Sequence, residues 1–135
     1  MEFSVSDMNA LAIVVSAIVY FFVGMVWYSP VLFAEIWKRE TGKAEEKSPN
    51  PFLYILCFIL TVFAAFALAC LFEIAGVSGF VPGIFAGLMA GLALVSASAI
   101  TMLFDDYRKY KLFLINAGYH AVAFPLMGVI LGLWQ

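Results

Sequence analysis

The sequence predicts an all-α integral membrane protein, a transmembrane bundle of four helices. Of its 135 residues, 65% are hydrophobic and 12% are charged, whereas a soluble domain is about 45–50% apolar. Four runs without charged residues are each about as long as the ~20-residue helix that crosses a bilayer. Because backbone groups in lipid must be paired within the protein, each run is predicted to be an α-helix.

The whole chain, residues 1–135, is predicted to be a single transmembrane domain. Glu2 and Asp7 precede the first span, where a secretory signal peptide needs positive charge, so we expect this span to be retained. Pro49 and Pro51 cannot continue a helix, so the second span is predicted to start after them. The predicted spans cover residues 8–28, 52–72, 81–104 and 112–134.

The basic residues of the chain are distributed unevenly. All seven lie in two predicted connections, residues 34–51 and 105–111, which are on the same side of a four-span protein. The positive-inside rule predicts that this side is cytoplasmic. We therefore expect a multi-pass protein of the inner (plasma) membrane whose N and C termini both lie outside.

Charge and cysteine content exclude several kinds of partner. A net charge of −2 leaves no basic excess to neutralise a phosphate backbone, so nucleic-acid binding is not expected. Cys57 and Cys70 lie in one predicted helix, too far apart to form a disulfide with each other. A single histidine cannot build a zinc site, which needs about four ligands. No cofactor is predicted, and the expected partners are membrane lipid and further copies of the chain.

The end of the first span carries a candidate membrane-interface motif. The motif consists of Trp27, Tyr28, Ser29, Pro30 and Trp37. Trp and Tyr favour the headgroup region, so they are predicted to anchor the cytoplasmic end of the span. Pro30 disfavours the helical conformation at Ser29 and turns the chain toward an apolar segment, residues 31–37, on the membrane surface. The alternative is a pocket lined by these aromatic side chains.

Small residues recur at four-residue intervals in the last two spans. Gly83, Gly87 and Gly91 share one face of the third span with Ser98, and the fourth span carries Gly128 and Gly132. Small residues at this spacing let two helices approach until their backbones touch. The sequence leaves open whether the partner helix belongs to the same chain or to another copy.

Each predicted span brings a polar residue to the same depth. Counted from the cytoplasmic ends, Tyr20, Thr61, Ser96 and His120 lie nine or ten residues deep, which is roughly 13–15 Å along a helix. Together with Ser98 and Asn116 they are predicted to form a polar layer around the single histidine. Ionisable residues inside a membrane are functional candidates. The alternative is a neutral histidine that only binds a neighbouring helix.

Two segments of the chain resemble a known family. They are Gly24-Met25-Val26-Trp27-Tyr28-Ser29-Pro30-Val31-Leu32-Phe33, followed by Trp37, and Leu112-Phe113-Leu114-Ile115-Asn116-Ala117-Gly118-Tyr119-His120, followed by Gly128 and Trp134. The family is the bacterial membrane family called domain of unknown function 1761 (DUF1761). Its members often have glycine where this chain has Ala34, a minor departure. The resemblance implies a four-span membrane protein and supplies no activity.

These observations favour a non-enzymatic, oligomeric packing or assembly protein. The alternative function is a small transporter or channel with a mid-membrane polar layer around His120. An enzyme is less favoured, because Ser98 with His120 is the only nucleophile–base pair available in the spans and no acid orients it.

Overall fold

The structure, a computed structural model, describes residues 8–42 and 51–134. These residues form five α-helices and no strand, and four of the helices are long and apolar enough to cross a membrane. The predicted all-α membrane bundle is therefore confirmed as the fold class. Residues 43–50 of the predicted loop 34–51 lie outside the described residues. The helices are α1 (Ala10–Trp27), α2 (Ala34–Thr41), α3 (Pro51–Ala75), α4 (Phe80–Asp105) and α5 (Tyr110–Leu133).

The four long helices form an open row in the order α3, α1, α5, α4. Helix α4 packs along α5, α5 packs on α1, and α1 packs on α3, whereas α3 and α4 meet at few points. The short helix α2 contacts α5. Helices α3 and α4 therefore form the edges of the row, and α1 and α5 form its centre.

The core lies between α1, α3 and α5. Ala17, Ala65 and Ala123 have no exposed surface, and they lie beside the buried side chains of Phe72 and Met127. Lipid tails are as apolar as leucine, so packing and not water exclusion holds helices together in a membrane. Alanines at the contact faces let the three helices come close enough for that packing.

Glycines carry the contact between α4 and α5. A Cβ atom added at Gly87 would lie 2.5 Å from the Phe124 carbonyl oxygen, and one added at Gly83 would meet the Gly128 carbonyl oxygen. Any side chain there would force the two backbones apart. The glycines of this contact are Gly83, Gly87, Gly91, Gly128 and Gly132. The sequence alone left open which helix packs on the glycines of α4. In the structure it is α5 of the same chain.

The chain turns sharply after α1, as Pro30 predicts. The Phe33 N–H donates to the Trp27 carbonyl oxygen at 3.2 Å, which closes the turn. The surface segment then differs from the prediction, because α2 begins only at Ala34 and continues to Thr41. Gly42 ends α2 in the left-handed conformation, with φ of 73°, that glycine adopts without strain.

Side-chain hydrogen bonds are present at both ends of the bundle. At one end the Asn9 Nδ2 donates to the Trp134 carbonyl oxygen at 3.3 Å. The other end carries the described basic residues, and we call it the basic end. There Asp106 accepts hydrogen bonds of 3.1 Å from the Arg108 backbone N–H and Nε. The side-chain bond from Arg108 holds the pKa of the Asp106 carboxyl below its usual range.

Candidate functional site

Two aromatic side chains at the end of α1 bind α5 near the basic end. The Trp27 Nε1 donates to the Ile115 carbonyl oxygen at 2.9 Å, and the Tyr28 hydroxyl donates to Asn116 Oδ1 at 2.6 Å. Both aromatic residues belong to the interface motif, and both acceptors lie in the other segment that carries the family resemblance. The two segments, far apart in sequence, therefore form one contact.

The remaining residues of the interface motif lie around this contact. The Ser29 hydroxyl donates to the Val26 carbonyl oxygen at 2.7 Å, beside the turn that Pro30 starts. The Trp37 ring on α2 packs edge-on against Tyr28, with 6.3 Å between ring centroids. The motif therefore connects α1, α2 and α5.

His120 lies deeper in the bundle and pairs with Tyr20 of α1. The Tyr20 hydroxyl and His120 Nδ1 form a hydrogen bond, which a neutral imidazole with its proton on Nε2 accepts. The His120 ring stacks on Tyr119 with centroids 5.0 Å apart, and Tyr20 packs edge-on against Phe124 at 5.5 Å. Tyr20 is only 5% exposed, so in lipid its hydroxyl needs a partner within the protein.

Two glycines make room for the aromatic rings between α1 and α5. A Cβ atom at Gly118 would lie 2.8 Å from Cζ2 of Trp27, and one at Gly24 would lie 2.7 Å from the Tyr119 hydroxyl oxygen. The Tyr119 hydroxyl donates to the Tyr20 carbonyl oxygen at 2.9 Å. Sequence reasoning missed Gly24 and Tyr119 as site residues. In the sequence, Gly24 could have been recognised as a small residue one helical turn before Tyr28, and Tyr119 as an aromatic residue next to His120.

Thr61, Ser96 and Ser98 of the predicted polar layer make no hydrogen bond to His120 in the described part of the chain. Thr61 is buried, but its hydroxyl donates to the Cys57 carbonyl oxygen of its own helix at 2.8 Å. Ser96 and Ser98 are exposed on α4, and Ser98 donates to the Leu94 carbonyl oxygen at 2.9 Å. The structure therefore joins only Tyr20 to His120, because equal depth does not bring side chains to the same face.

The structure can be compared with two kinds of site considered from the sequence, a Ser–His pair for catalysis and a metal site. Ser98 donates to its own helix and His120 Nδ1 is bonded to Tyr20, so the nucleophile–base pair considered above is not assembled. Within residues 8–42 and 51–134, no group of three or more His, Cys, Asp and Glu side chains could hold a metal ion.

Two polar atoms of the site have no hydrogen-bond partner among the described residues. They are Asn116 Nδ2 and His120 Nε2, which lie one helical turn apart on half-buried side chains. We call Tyr20, Tyr28, Asn116, Tyr119 and His120 the aromatic–polar cluster.

Comparison with known proteins identifies a family for this architecture. No curated protein and no solved structure matches the chain. A family model described as "Protein of unknown function (DUF1761)" matches residues 11–132, which include both halves of the aromatic–polar cluster. The match extends over nearly the whole sequence, and the chain therefore belongs to the DUF1761 family.

Proposed function

We propose that the protein is a non-enzymatic membrane subunit that assembles with copies of itself through the exposed side of α4. The supporting observation is that α4 stands at an edge of the row and packs almost entirely on α5. Its glycine face is already used for that contact. A second copy would therefore bind another face of the helix.

A row of small side chains supports the choice of that face. Ala93, Ala97 and Thr101 follow one another at four-residue intervals on α4, and all three are exposed. We call them the outer stripe. The Thr101 hydroxyl is satisfied by the Ser98 carbonyl oxygen at 2.9 Å, so the stripe can enter an apolar contact. Small residues at this spacing are typical of helix–helix contacts in membranes.

The proposed membrane orientation follows from charge. Arg39, Arg108 and Lys111 are among the described basic residues at the basic end, whereas Glu73 lies near the other end of the bundle. The positive-inside rule then places the basic end in the cytoplasm and both chain termini outside the inner membrane.

An Ala97→Leu substitution tests the assembly. Leucine adds a branched side chain in the middle of the outer stripe, where we expect two helices to approach closely. Wild type reconstituted in lipid is expected to contain more than one copy, and Ala97→Leu is expected to be a monomer. Native mass spectrometry from lipid nanodiscs measures the copy number.

Ala67→Leu is the matched control, because Ala67 is exposed on α3 at the opposite edge of the row. This variant is expected to keep the wild-type copy number. Thermal unfolding should show that both variants remain folded, with the wild-type midpoint for Ala67→Leu and only the decrease that loss of the subunit contact causes for Ala97→Leu. A monomeric wild type, or an Ala97→Leu variant with an unchanged copy number, would contradict the proposal.

A second candidate function is transport of a small solute or proton. The observation that favours it is the hydrogen bond between Tyr20 and His120, beside the two unpartnered polar atoms of Asn116 and His120. The residue count predicts that this pair lies at mid-membrane depth. Polar groups at this depth mark solute and proton pathways in many membrane proteins. A small solute retained by the purified protein would favour this function over assembly.

A further inference from the structure

A groove lies between α1 and α3, at the opposite edge of the row from α4. All of its lining side chains are apolar, and they come from residues 8–14 and from residues 59–66. Val14, Ile59 and Phe63 in its walls are exposed, so the groove opens to the outside of the bundle. It takes no part in the proposed assembly, which uses α4.

The size and depth of the groove fit one chain of a lipid. Its volume is about 510 Å³, within the range of about 300–1,000 Å³ found for small-molecule sites. It extends from Met8, at the end of the bundle opposite the basic end, to Phe63, the central residue of α3. This depth is that of one leaflet, about half of a ~30 Å hydrocarbon core. Because α1 and α3 are both candidate membrane spans, acyl chains are the apolar material around the groove.

The charge at this end of the bundle favours one class of headgroup. Residues 8–14, 66–84 and 128–134 form this end of the described bundle, and they contain no Lys or Arg. Their one acid is Glu73, which lines a small cavity that Met8 also borders. Within the described ranges, Glu73 forms no ion pair.

Two common phospholipid headgroups differ in how they would meet this charge. Phosphatidylethanolamine carries an ammonium group, which a carboxylate attracts, and has no net charge. Phosphatidylglycerol has a net negative charge, which Glu73 would repel and no described basic side chain at this end would offset. The charge at this end therefore favours the ammonium headgroup.

We propose that the groove binds one acyl chain of phosphatidylethanolamine, with the headgroup at the end of the bundle that carries Glu73. The chain is held by packing against the groove walls, since packing is the main attraction between apolar groups inside a membrane. The headgroup charge selects the lipid. Because the headgroup lies near water, this selectivity should decrease as the salt concentration rises.

Native mass spectrometry from nanodiscs tests the site. The full chain is reconstituted in an equimolar mixture of phosphatidylethanolamine and phosphatidylglycerol with identical acyl chains, and the mass of the retained lipid identifies it. Wild type is expected to retain one phosphatidylethanolamine per chain, in several-fold excess over phosphatidylglycerol. Val14→Phe fills the groove with an aromatic ring and is expected to retain neither lipid.

Val122→Phe is the matched control. Val122 on α5 is 43% exposed and lies outside the groove, whereas Val14 is 42% exposed. This variant should retain lipid as wild type does. Added phosphatidylethanolamine should also raise the midpoint of thermal unfolding of wild type and Val122→Phe, because a ligand stabilises the folded state that binds it. The midpoint of Val14→Phe should not respond.

Glu73→Gln tests the headgroup separately from the chain, because it removes the charge and keeps the shape. This variant is expected to retain lipid but to lose the preference for phosphatidylethanolamine. The proposal fails if wild type retains no lipid or retains both lipids equally, if Val14→Phe retains lipid as wild type does, or if Glu73→Gln keeps the full preference. A Val14→Phe variant that loses a protein copy and keeps its lipid would mean that a second chain occupies the groove.

Discussion

At the scale of single residues, substitutions at Tyr20 and His120 distinguish a structural role of their hydrogen bond from a role in transport. Hydrogen bonds between membrane helices contribute on average about 0.6 kcal/mol. If the pair is structural, Tyr20→Phe and His120→Gln should each lower the free energy of unfolding by about that amount. Unfolding in mixed micelles measures it, and the double variant reports the coupling between the two residues.

The same variants address transport when they are reconstituted in liposomes that contain a pH dye. Gln can form a hydrogen bond but cannot titrate near neutral pH. For an assembly protein, proton permeability should be low in wild type and unchanged in His120→Gln. Proton flux in wild type that disappears in His120→Gln, with stability retained, would instead support the transport function.

At the same scale, the sequence predicts how far a residue lies along its helix but not which neighbouring helix its side chain contacts. His120 and Asn116 are recognisable as candidates in the sequence because polar residues are rare inside apolar spans. Counting from the helix ends predicted their depth, yet Ser96 at the same depth is exposed on α4. Depth follows from the rise per residue, whereas the face that a residue presents to its neighbours depends on how the helices are arranged.

At the scale of the helices, the glycine contact between α4 and α5 is the most demanding feature of the fold. A Cβ atom at Gly87 would lie 2.5 Å from the Phe124 carbonyl oxygen and 3.0 Å from Cα of Pro125. Because these are backbone atoms, even Gly87→Ala must push the helices apart. Overpacking of this kind costs about 1–3 kcal/mol, which should appear as a lower midpoint of thermal unfolding.

Ser96→Ala is a suitable control for this prediction, because Ser96 is exposed on the same helix. Its thermal midpoint should equal that of wild type. The copy number of Gly87→Ala should also stay that of wild type, since the glycine face contacts α5 of the same chain. A stable Gly87→Ala variant with a changed copy number would mean that the face binds another chain.

At the scale of the whole molecule, the fold class was predictable and the order of the helices was not. Lipid forces each apolar run to be a helix, because its backbone groups have no other partners. Four spans can still be arranged in several ways. The open row depends on which faces pack, and contacts such as those of Gly24 with Tyr119 and Gly118 with Trp27 involve two helices at once.

The orientation of the whole molecule can be tested by labelling in intact cells. In a chain without its native cysteines (Cys57→Ser, Cys70→Ser), a new cysteine is placed at Ser78, between α3 and α4, or at Lys109, between α4 and α5. Both positions are exposed. Since the basic end should be cytoplasmic, an impermeant thiol reagent should label Ser78→Cys in intact cells and Lys109→Cys only after the cells are permeabilised. The reverse pattern would show that the topology is the opposite of the proposed one. Labelling of both positions in intact cells would indicate that the protein inserts in two orientations.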